Sequence, residues 1–246
     1  MILSLFIYWF RSYSNFLQFI MFTTLRSKIQ LPKSKYMRVV IFGANGKTGA
    51  LLVEQALTKG YKVVAFVRKA GSIQIDNPNL KVIVGNLNET LNLTDAITGA
   101  DACICALGGG SLKQHSPEIV EGIKNIVSIM EQEVVPRFIY LSSLGAGESR
   151  LIMAQPMRFL IFNIMLRVPL ADHNANEQLI SKSKLKWTFV RPGALNDGAL
   201  SGIFKHGSEI IKLKGNASIS RANVAAFMID QLSDETYIKK AVWLYE

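Results

Sequence analysis

The sequence predicts an α/β fold in which helices cover both faces of a doubly wound parallel sheet. Two patterns support this prediction. Short runs that are apolar along their whole length alternate with segments of helical spacing, and a glycine-rich turn directly follows the first run. Strands that are apolar throughout are typical of parallel sheets buried on both faces. Right-handed crossovers between such strands place helices on the two sides of the sheet, as in a Rossmann-like domain.

The predicted elements follow one another at the spacing that this architecture needs. Strands are predicted at residues 37–42, 61–67, 80–85, 101–108, 137–143, 185–193 and 241–245. Helices are predicted at residues 47–59, 92–99, 116–131 and 221–232, with a mostly helical segment at 145–184. We expect Gly60 to end the first helix, an Asn or Thr to cap the second, and Pro117 to lie in the first turn of the third. No repeat or linker interrupts residues 37–246, so one domain is expected there.

Residues 1–36 differ in composition from the rest of the chain. They are apolar and aromatic, and they hold five of the chain's 28 basic residues and none of its 18 acidic ones, so 23 basic and 18 acidic residues follow them. Three interpretations stay open: a start codon placed too early, with Met37 as the functional first residue, a disordered tail, or a targeting or anchoring segment. Arg11 and its polar neighbours argue against a stable membrane span. We expect a cytoplasmic protein, or an organellar one if residues 1–36 are a genuine presequence.

The remaining charge and the two cysteines limit the classes of partner and compartment. A modest basic excess suits an anionic small molecule, whereas nucleic acid usually requires a basic stripe, with aromatic side chains for single strands. No such stripe follows residue 36, so no nucleic-acid partner is expected. Cys103 and Cys105 are too few and too close for a disulfide framework, which favours a reducing compartment. Both are expected to be small core residues, and no metal site is predicted.

The turn IFGANGKTG, residues 41–49, carries parts of two phosphate-binding signatures. A triphosphate loop needs a glycine five positions before Gly46, and the sequence has Ile41 there, inside the strand. The spacing of Gly43, Gly46 and Gly49 matches instead a dinucleotide turn between a strand and a helix. The first glycine would take a positive φ, the second would admit a diphosphate, and the third would let the helix pack closely.

Polar residues around this turn favour NADP(H) as the cofactor. Lys47 and Thr48 would add a cation and a hydroxyl to the free N–H groups of the helix start. The second strand ends in Arg68 and Lys69, with no acid before Asp76. NAD binders usually place an acid there for the ribose, whereas a guanidinium can bind the 2′-phosphate of NADP. NAD(H) is therefore less favoured, and the alternative for the basic pair is a solvated strand end.

Several motifs occur in an order known from one group of proteins. They are IFGANGKTG, GYKVVAFVRK, VIVGNLNE, DACICALGG, YLSSLGAG and LKWTFVRPGALNDG. In these motifs the chain resembles the atypical short-chain dehydrogenase/reductases, specifically their NAD(P)H-binding, NmrA-like branch, and it is similar to the flavin reductases (biliverdin-IXβ reductases). The resemblance covers residues 37–246 and implies a Rossmann fold and an NAD(P)H-dependent oxidoreductase.

The resemblance also implies roles for individual residues. Arg68 would hold the 2′-phosphate, but Ser72 stands where flavin reductases have a second arginine, with Lys69 as a substitute. Asn86 stands where family members often have an Asp near the adenine, so it retains an acceptor without a charge. Ser142 and Ser143 would lie near the nicotinamide, with Pro192 on its other side. The implied cofactor-binding residues are Gly43, Asn45, Gly46, Lys47, Thr48, Arg68, Asn86, Leu87, Leu107, Gly108, Ser142, Ser143 and Pro192.

The expected chemistry is hydride transfer to a small acceptor. Short-chain dehydrogenases that oxidise alcohols use Tyr-x-x-x-Lys for proton transfer, and no tyrosine in this sequence has a lysine four residues later. A flavin-reductase type of reaction needs only a positioned planar acceptor, with the proton taken from solvent. Ser143 is the candidate catalytic residue, for positioning substrate or nicotinamide, and otherwise a turn cap. We expect an NADPH-dependent reductase of a flavin, quinone or tetrapyrrole-like acceptor; the alternative is a non-catalytic NADP(H)-binding redox sensor of the NmrA type.

Two features of the second half leave further alternatives open. Asp172, His173 and Glu177 either face the substrate opening or represent a capping Asp and a surface His at a helix start. The apolar segment 151–170 either roofs an aromatic-substrate pocket, packs against a dimer partner or belongs to the core. A monomer or a homodimer is therefore expected.

Overall fold

The computed structural model describes residues 37–108, 114–152, 165–211 and 217–246. Residues 1–36 and most of the segment 151–170 lie outside the described residues, and so do the interpretations offered for them. The described strands are Arg38–Phe42 (β1), Lys62–Val67 (β2), Leu80–Val84 (β3), Ala102–Cys105 (β4), Arg137–Leu141 (β5), Lys186–Pro192 (β6), Ala194–Asn196 (β7), Lys205–Gly207 (β8), Ser218–Ser220 (β9) and Lys240–Tyr245 (β10). The described α-helices are Lys47–Thr58 (α1), Thr90–Ile97 (α2), Pro117–Gln132 (α3), Arg167–Ser181 (α4) and Arg221–Asp230 (α5), and Gly147–Leu151 form a 3-10 helix. Within these ranges, no helix combines the length and the apolar content that a bilayer crossing requires.

Eight of the strands form one sheet in the order β3-β2-β1-β4-β5-β6-β10-β8. All neighbouring pairs are parallel except β10 with β8. The chain builds outward from β1 to β3 and then crosses to β4, so the strand order reverses beside β1, as in a doubly wound fold. The predicted fold class is confirmed. The antiparallel edge strand β8 and the separate pair of β7 with β9 were not predicted, because strands of three residues are too short to show a periodic pattern.

The two faces of the sheet bury separate apolar layers. Val39 and Ile41 of β1 belong to the layer that contains α1 and α5, whereas the alternate residues of the same strand pack with α2 and α3. Burial on both sides explains why the strands lack polar alternation. Cys103 and Cys105 are fully buried in the second layer, which confirms that they are core residues. Burial raises the pKa of Cys105 to about 12. In the described part of the chain, no cluster of His, Cys, Asp and Glu side chains is arranged to hold a metal ion.

Two predicted helix caps are wrong. Helix α2 begins at Thr90, and its N-cap residue is Glu89, which makes no side-chain capping hydrogen bond. Asn92 lies inside that helix and donates its amide to the Glu89 carboxylate at 2.6 Å, so it cannot cap. Helix α4 begins at Arg167, which puts Asp172 in its second turn. Asp172 is therefore not a capping residue, because a cap precedes the first turn.

Gly49 lies where α1 passes closest to the preceding turn. A Cβ at this position would be 1.9 Å from the carbonyl oxygen of Gly43. We expect Gly49→Ala to lower the free energy of unfolding by about 3 kcal/mol or more, because backbone atoms would have to move apart. Urea unfolding monitored by circular dichroism measures this loss. Gly71→Ala is the control, since the added Cβ at Gly71 has no atom within 4 Å and the substitution is opposed only by the positive φ of +71° at this position. Its expected cost is about 1 kcal/mol, and equal losses in the two variants would contradict the close packing inferred for Gly49.

Candidate active site

The glycine turn joins β1 to α1 beside the end of β4. Gly43 has a φ of +76°, and a Cβ there would lie 2.7 Å from the carbonyl oxygen of Ala106, which follows β4. Gly46 closes the turn by donating its N–H to the Gly43 carbonyl at 3.0 Å. The turn therefore lies against β4 at the point where the strand order reverses. Ligands of open α/β sheets bind in the crevice at this point.

The first turn of α1 has no side-chain cap. Gly46 is its N-cap residue, with an extended backbone and no side-chain capping bond, and no acidic residue lies in the first turn. Asn45, Gly46 and Lys47 are exposed. Uncapped N–H groups and the positive end of the helix dipole fit the diphosphate of a dinucleotide. Thr48 is only 7 % exposed, so its hydroxyl is less accessible to a ligand than the sequence suggests.

Lys47 is engaged in an ion pair that the sequence analysis missed. Its Nζ lies 2.9 Å from Oδ2 of Asp197, and the other oxygen of that carboxylate lies 2.5 Å from Nη1 of Arg221. The hydrogen bond from Lys47 is the main reason that the pKa of Asp197 lies below its usual value. The Lys47 and Asp197 side chains are 70 % and 64 % exposed, so the pair is weak and screened by salt. A bound phosphate would compete with Asp197 for Lys47.

Arg68 and Lys69 directly follow β2 and are exposed. Within the described residues, neither side chain makes an ion pair or a hydrogen bond. Ser72 donates its hydroxyl to the Lys69 carbonyl at 2.7 Å, so it shapes this loop through the backbone. Because β2 pairs with β1, Arg68 lies at the same edge of the sheet as the glycine turn. Its guanidinium is therefore available to an anion at that edge.

Asn86 and Leu87 follow β3 and have different environments. Asn86 is exposed and donates its side-chain amide to Oε1 of Glu89 at 2.7 Å, which leaves its side-chain oxygen Oδ1 for a ligand, whereas its backbone carbonyl accepts from the Glu89 N–H. Leu87 is half-buried against α3, where a Cβ on Gly122 would lie 2.4 Å from its Cδ1 atom. Its carbonyl oxygen accepts a hydrogen bond from Asn125 at 3.0 Å. Leu87 is therefore held against α3, whereas the side-chain oxygen of Asn86 remains available to a ligand.

The other predicted residues follow three neighbouring strands: Leu107 and Gly108 after β4, Ser142 and Ser143 after β5, and Pro192 at the end of β6. The N–H of Ser142 donates to the Val190 carbonyl at 2.7 Å, and the N–H of Leu144 donates to the Pro192 carbonyl at 2.9 Å. These bonds bring the two serines beside Pro192. Since the carboxyl ends of parallel strands meet at one edge, this group shares an edge with the glycine turn.

A buried ion pair holds the segment that carries the two serines. Arg191 of β6 and Glu177 of α4 are 4 % and 6 % exposed, and Nε and Nη2 of the arginine contact the two carboxylate oxygens at 2.9 and 2.6 Å. Nη1 of Arg191 also reaches Glu148 at 2.7 Å. Ser142 donates its hydroxyl to Glu177 at 2.7 Å. The hydroxyl of Ser143 makes only a 3.3 Å contact with a neighbouring carbonyl, so Ser143 is the serine that remains available to a ligand.

The loop after β5 is shaped around Arg191. Gly147 has a φ of +53°, and a Cβ there would lie 2.5 Å from Nη2 of Arg191. Its N–H donates to Oδ1 of Asn174 on α4 at 2.7 Å. A larger residue at 147 would displace the guanidinium. Arg191 was not predicted as a site residue, although a charged residue directly after the apolar pair Phe189 and Val190 was an available signal.

A second network links β5 to α4. The Tyr140 hydroxyl lies 2.9 Å from Nδ1 of His173 and accepts a hydrogen bond from Asn176 at 2.9 Å. Burial is the main reason that the pKa of Tyr140 lies well above its usual value and that the pKa of His173 is lowered. Oδ1 of Asp172 lies 2.7 Å from Nδ1 of His115. The interpretation of His173 as a surface residue is therefore wrong, because it is half-buried and bonded to a core tyrosine.

Comparison with known proteins supports the family and the fold expected from the sequence. The model of the NAD(P)H-binding family matches residues 43–235. An uncharacterized chloroplastic protein of Arabidopsis thaliana is 30 % identical over 216 residues, which cover 85 % of this chain and 76 % of that protein. A short-chain dehydrogenase/reductase of Veillonella parvula in complex with NADP superposes with a TM-score of 0.73 at 19 % identity, over 86 % of this chain and 95 % of that one. The anaerobillin reductase ChuY of Escherichia coli O157:H7 superposes with a TM-score of 0.70 at 23 % identity, over 85 % and 97 %. At these identities, the two structures establish the shared fold.

The contact between Arg191 and Glu148 predicts a pH dependence of stability. Partial burial opposes ionisation of Glu148, but hydrogen bonds from Arg191 hold its pKa below the ordinary value of 4.5. A carboxyl whose pKa is lowered on folding stabilises the protein above its unfolded pKa, and this contribution is lost as the pH falls through the folded pKa. We expect Glu148→Gln to lower the unfolding free energy at pH 7 and to flatten its decline below about pH 4.5. Urea titrations at several pH values measure both effects.

The control for this experiment is Glu54→Gln, an exposed acid of α1. Its stability curve is expected to run parallel to that of the wild type, because the described residues offer its side chain no ion-pair partner. A Glu148→Gln curve that is also parallel to the wild type would contradict the inferred role of Arg191.

Proposed function

Because the chain belongs to the NAD(P)H-binding family, we propose that it is an NADPH-dependent reductase whose acceptor is a flavin, a quinone or a tetrapyrrole-like molecule. When bound, the reduced nicotinamide would supply the hydride. The protein would bind the dinucleotide, orient the acceptor and exclude competing reactions. The acceptor is expected to be a small molecule, and no nucleic-acid partner is expected. The protein is expected to be a monomer or homodimer, cytoplasmic or, if residues 1–36 are a genuine presequence, organellar.

The observation that carries this proposal is the uncapped start of α1 at the same edge of the sheet as a guanidinium that has no partner among the described residues. The exposed residues Asn45 and Lys47 would offer their backbone N–H groups to a diphosphate, whereas the N–H of Gly46 is bonded to the Gly43 carbonyl. Arg68, which has no partner among the described residues, would bind the 2′-phosphate that distinguishes NADPH from NADH. The side-chain oxygen Oδ1 of Asn86 would accept a hydrogen bond from the adenine end of the cofactor.

The polar groups near β5 favour simple hydride transfer over alcohol oxidation. The sequence lacks Tyr-x-x-x-Lys, and the Tyr140 hydroxyl is already bonded to His173 and Asn176 in the core. Tyr140 is therefore unsuited to donate a proton to a substrate. Ser143 would position the acceptor or the nicotinamide, because its hydroxyl has no strong partner among the described residues. The proton needed by the reduced acceptor would come from solvent.

Arg68→Ala tests the choice of cofactor. We expect the dissociation constant of NADPH to rise about tenfold or more while that of NADH changes little, because only NADPH has the phosphate that a guanidinium binds. Isothermal titration calorimetry with both cofactors measures this. Lys62→Ala, an exposed base at the opposite end of β2, is the control and should leave both constants unchanged. If Arg68→Ala leaves the preference of the protein for NADPH over NADH untouched, the assignment of the 2′-phosphate site is wrong.

NADPH oxidation at 340 nm, with FMN, a quinone or biliverdin as acceptor, tests the activity itself. We expect turnover with at least one acceptor, and a kcat reduced about tenfold by Ser143→Ala as its positioning hydrogen bond is lost. Ser181→Ala, at the far end of α4, should leave kcat unchanged. Tight NADPH binding without turnover on any acceptor would overturn the reductase proposal and favour the redox-sensor alternative.

A further inference from the structure

A cavity of about 340 Å³ lies between the loop after β5 and one face of α4. Its walls are the backbone of the turn at 145–147 and the side chains of Arg150, Arg167, Leu170, Asn174 and Gln178. This volume lies within the range of small-molecule sites. Gly145 is two residues from Ser143, so one wall of the cavity belongs to the same loop as the residue expected to position the acceptor.

The described lining of the cavity is positively charged and contains no acid. Arg150 and Arg167 are the charged residues of the described lining, both are exposed, and neither has an ion-pair partner among the described residues. Two carboxylates, Glu148 and Asp172, are adjacent in sequence to lining residues but interact with other groups. Glu148 contacts Arg191, and Asp172 contacts His115. Two guanidinium groups without counter-charges suit a carboxylate or a phosphate, which each can bind through paired N–H donors.

The walls of the cavity are held by hydrogen bonds that do not involve the arginines. Gly145 donates its N–H to Ser149 at 2.9 Å, and Gly147 donates to Oδ1 of Asn174 at 2.7 Å. The amide group of Asn174 is thereby left with its N–H donors for a ligand. Leu170 is buried and offers apolar contact beside the polar groups. The cavity thus combines donors, positive charge and an apolar wall.

We propose that this cavity binds an anionic arm, a carboxylate or a phosphate, of the molecule that accepts the hydride. This inference rests on the proposed function and narrows it to acceptors that join a planar, reducible ring to an anionic substituent. Neutral acceptors with the same ring would bind more weakly, because the two guanidinium groups would remain without a counter-ion.

The test uses pairs of ligands that differ only in the anionic group. FMN and riboflavin share one ring and differ by a phosphate, and anthraquinone-2-carboxylate and its carboxamide differ by the charge of a carboxylate. Isothermal titration calorimetry with the full chain saturated with NADP⁺ compares the members of each pair. The pair that shows a preference identifies the anionic group.

We expect the anionic member of at least one pair to bind about tenfold more tightly. Arg150→Gln and Arg167→Gln should each weaken its binding roughly three- to fivefold, since exposed charges are screened by solvent, and the double variant should abolish the preference. The neutral member should bind equally well to all variants. Lys182→Gln, which removes an exposed positive charge at the C-terminal end of α4, is the control and should retain the preference.

Three results would overturn the inference: no binding of either anionic ligand, equal binding within both pairs, or a preference that survives in the double variant. Unchanged NADPH affinity and circular dichroism spectra exclude misfolding of the variants. The reductase proposal is decided separately by NADPH oxidation. Arginine-dependent binding of the anionic ligand without turnover would refute the reductase proposal but support the anion site in the cavity. Turnover that depends neither on the anionic group nor on the arginines would support the reductase proposal but refute the anion site.

Discussion

The buried ion pair between Glu177 and Arg191 is the interaction on which the arrangement of the candidate site depends. It ties α4 to β6, and through Ser142 and Glu148 it also fixes the end of β5 and the loop that follows. Removing one partner of such a pair leaves a buried charge without compensation, which typically costs about 3–5 kcal/mol. The polar groups that satisfy Glu177 and Arg191 are therefore structural, and this distinguishes Ser142 from its neighbour Ser143.

The two halves of the sheet contribute different functions. The turn after β1 and the end of β2 would provide backbone donors and positive charge for a dinucleotide, while the ends of β5 and β6 would surround the reacting groups. Asp197 connects the halves, because it pairs both with Lys47 at the start of α1 and with Arg221 at the start of α5. Since these charges are exposed, the connection is weak, and it can rearrange when another anion approaches Lys47.

The basic residues near the candidate site lie at two separate positions. Arg68 lies after β2, at the end of the sheet where we expect the cofactor, whereas Arg150 and Arg167 line the cavity beside the loop after β5. The modest basic excess of residues 37–246 therefore includes cations at the ends expected to bind a dinucleotide and an anionic acceptor. An enzyme that brings two anions together needs such charges, because their mutual repulsion would otherwise weaken binding of the second.

The sequence by itself determined the fold class, the position of the glycine turn and the basic end of β2, because each follows from local patterns of residues. Only the tertiary structure decided which polar residues are buried and paired. Arg137 is an example: it lies in an apolar strand and donates twice to the Gln231 carbonyl, and burial lowers its pKa to about 10. Asp197 forms an ion pair with Lys47, from which it is separated by 150 positions in the sequence. Such pairings depend on how distant elements pack, and no periodicity within either segment encodes them.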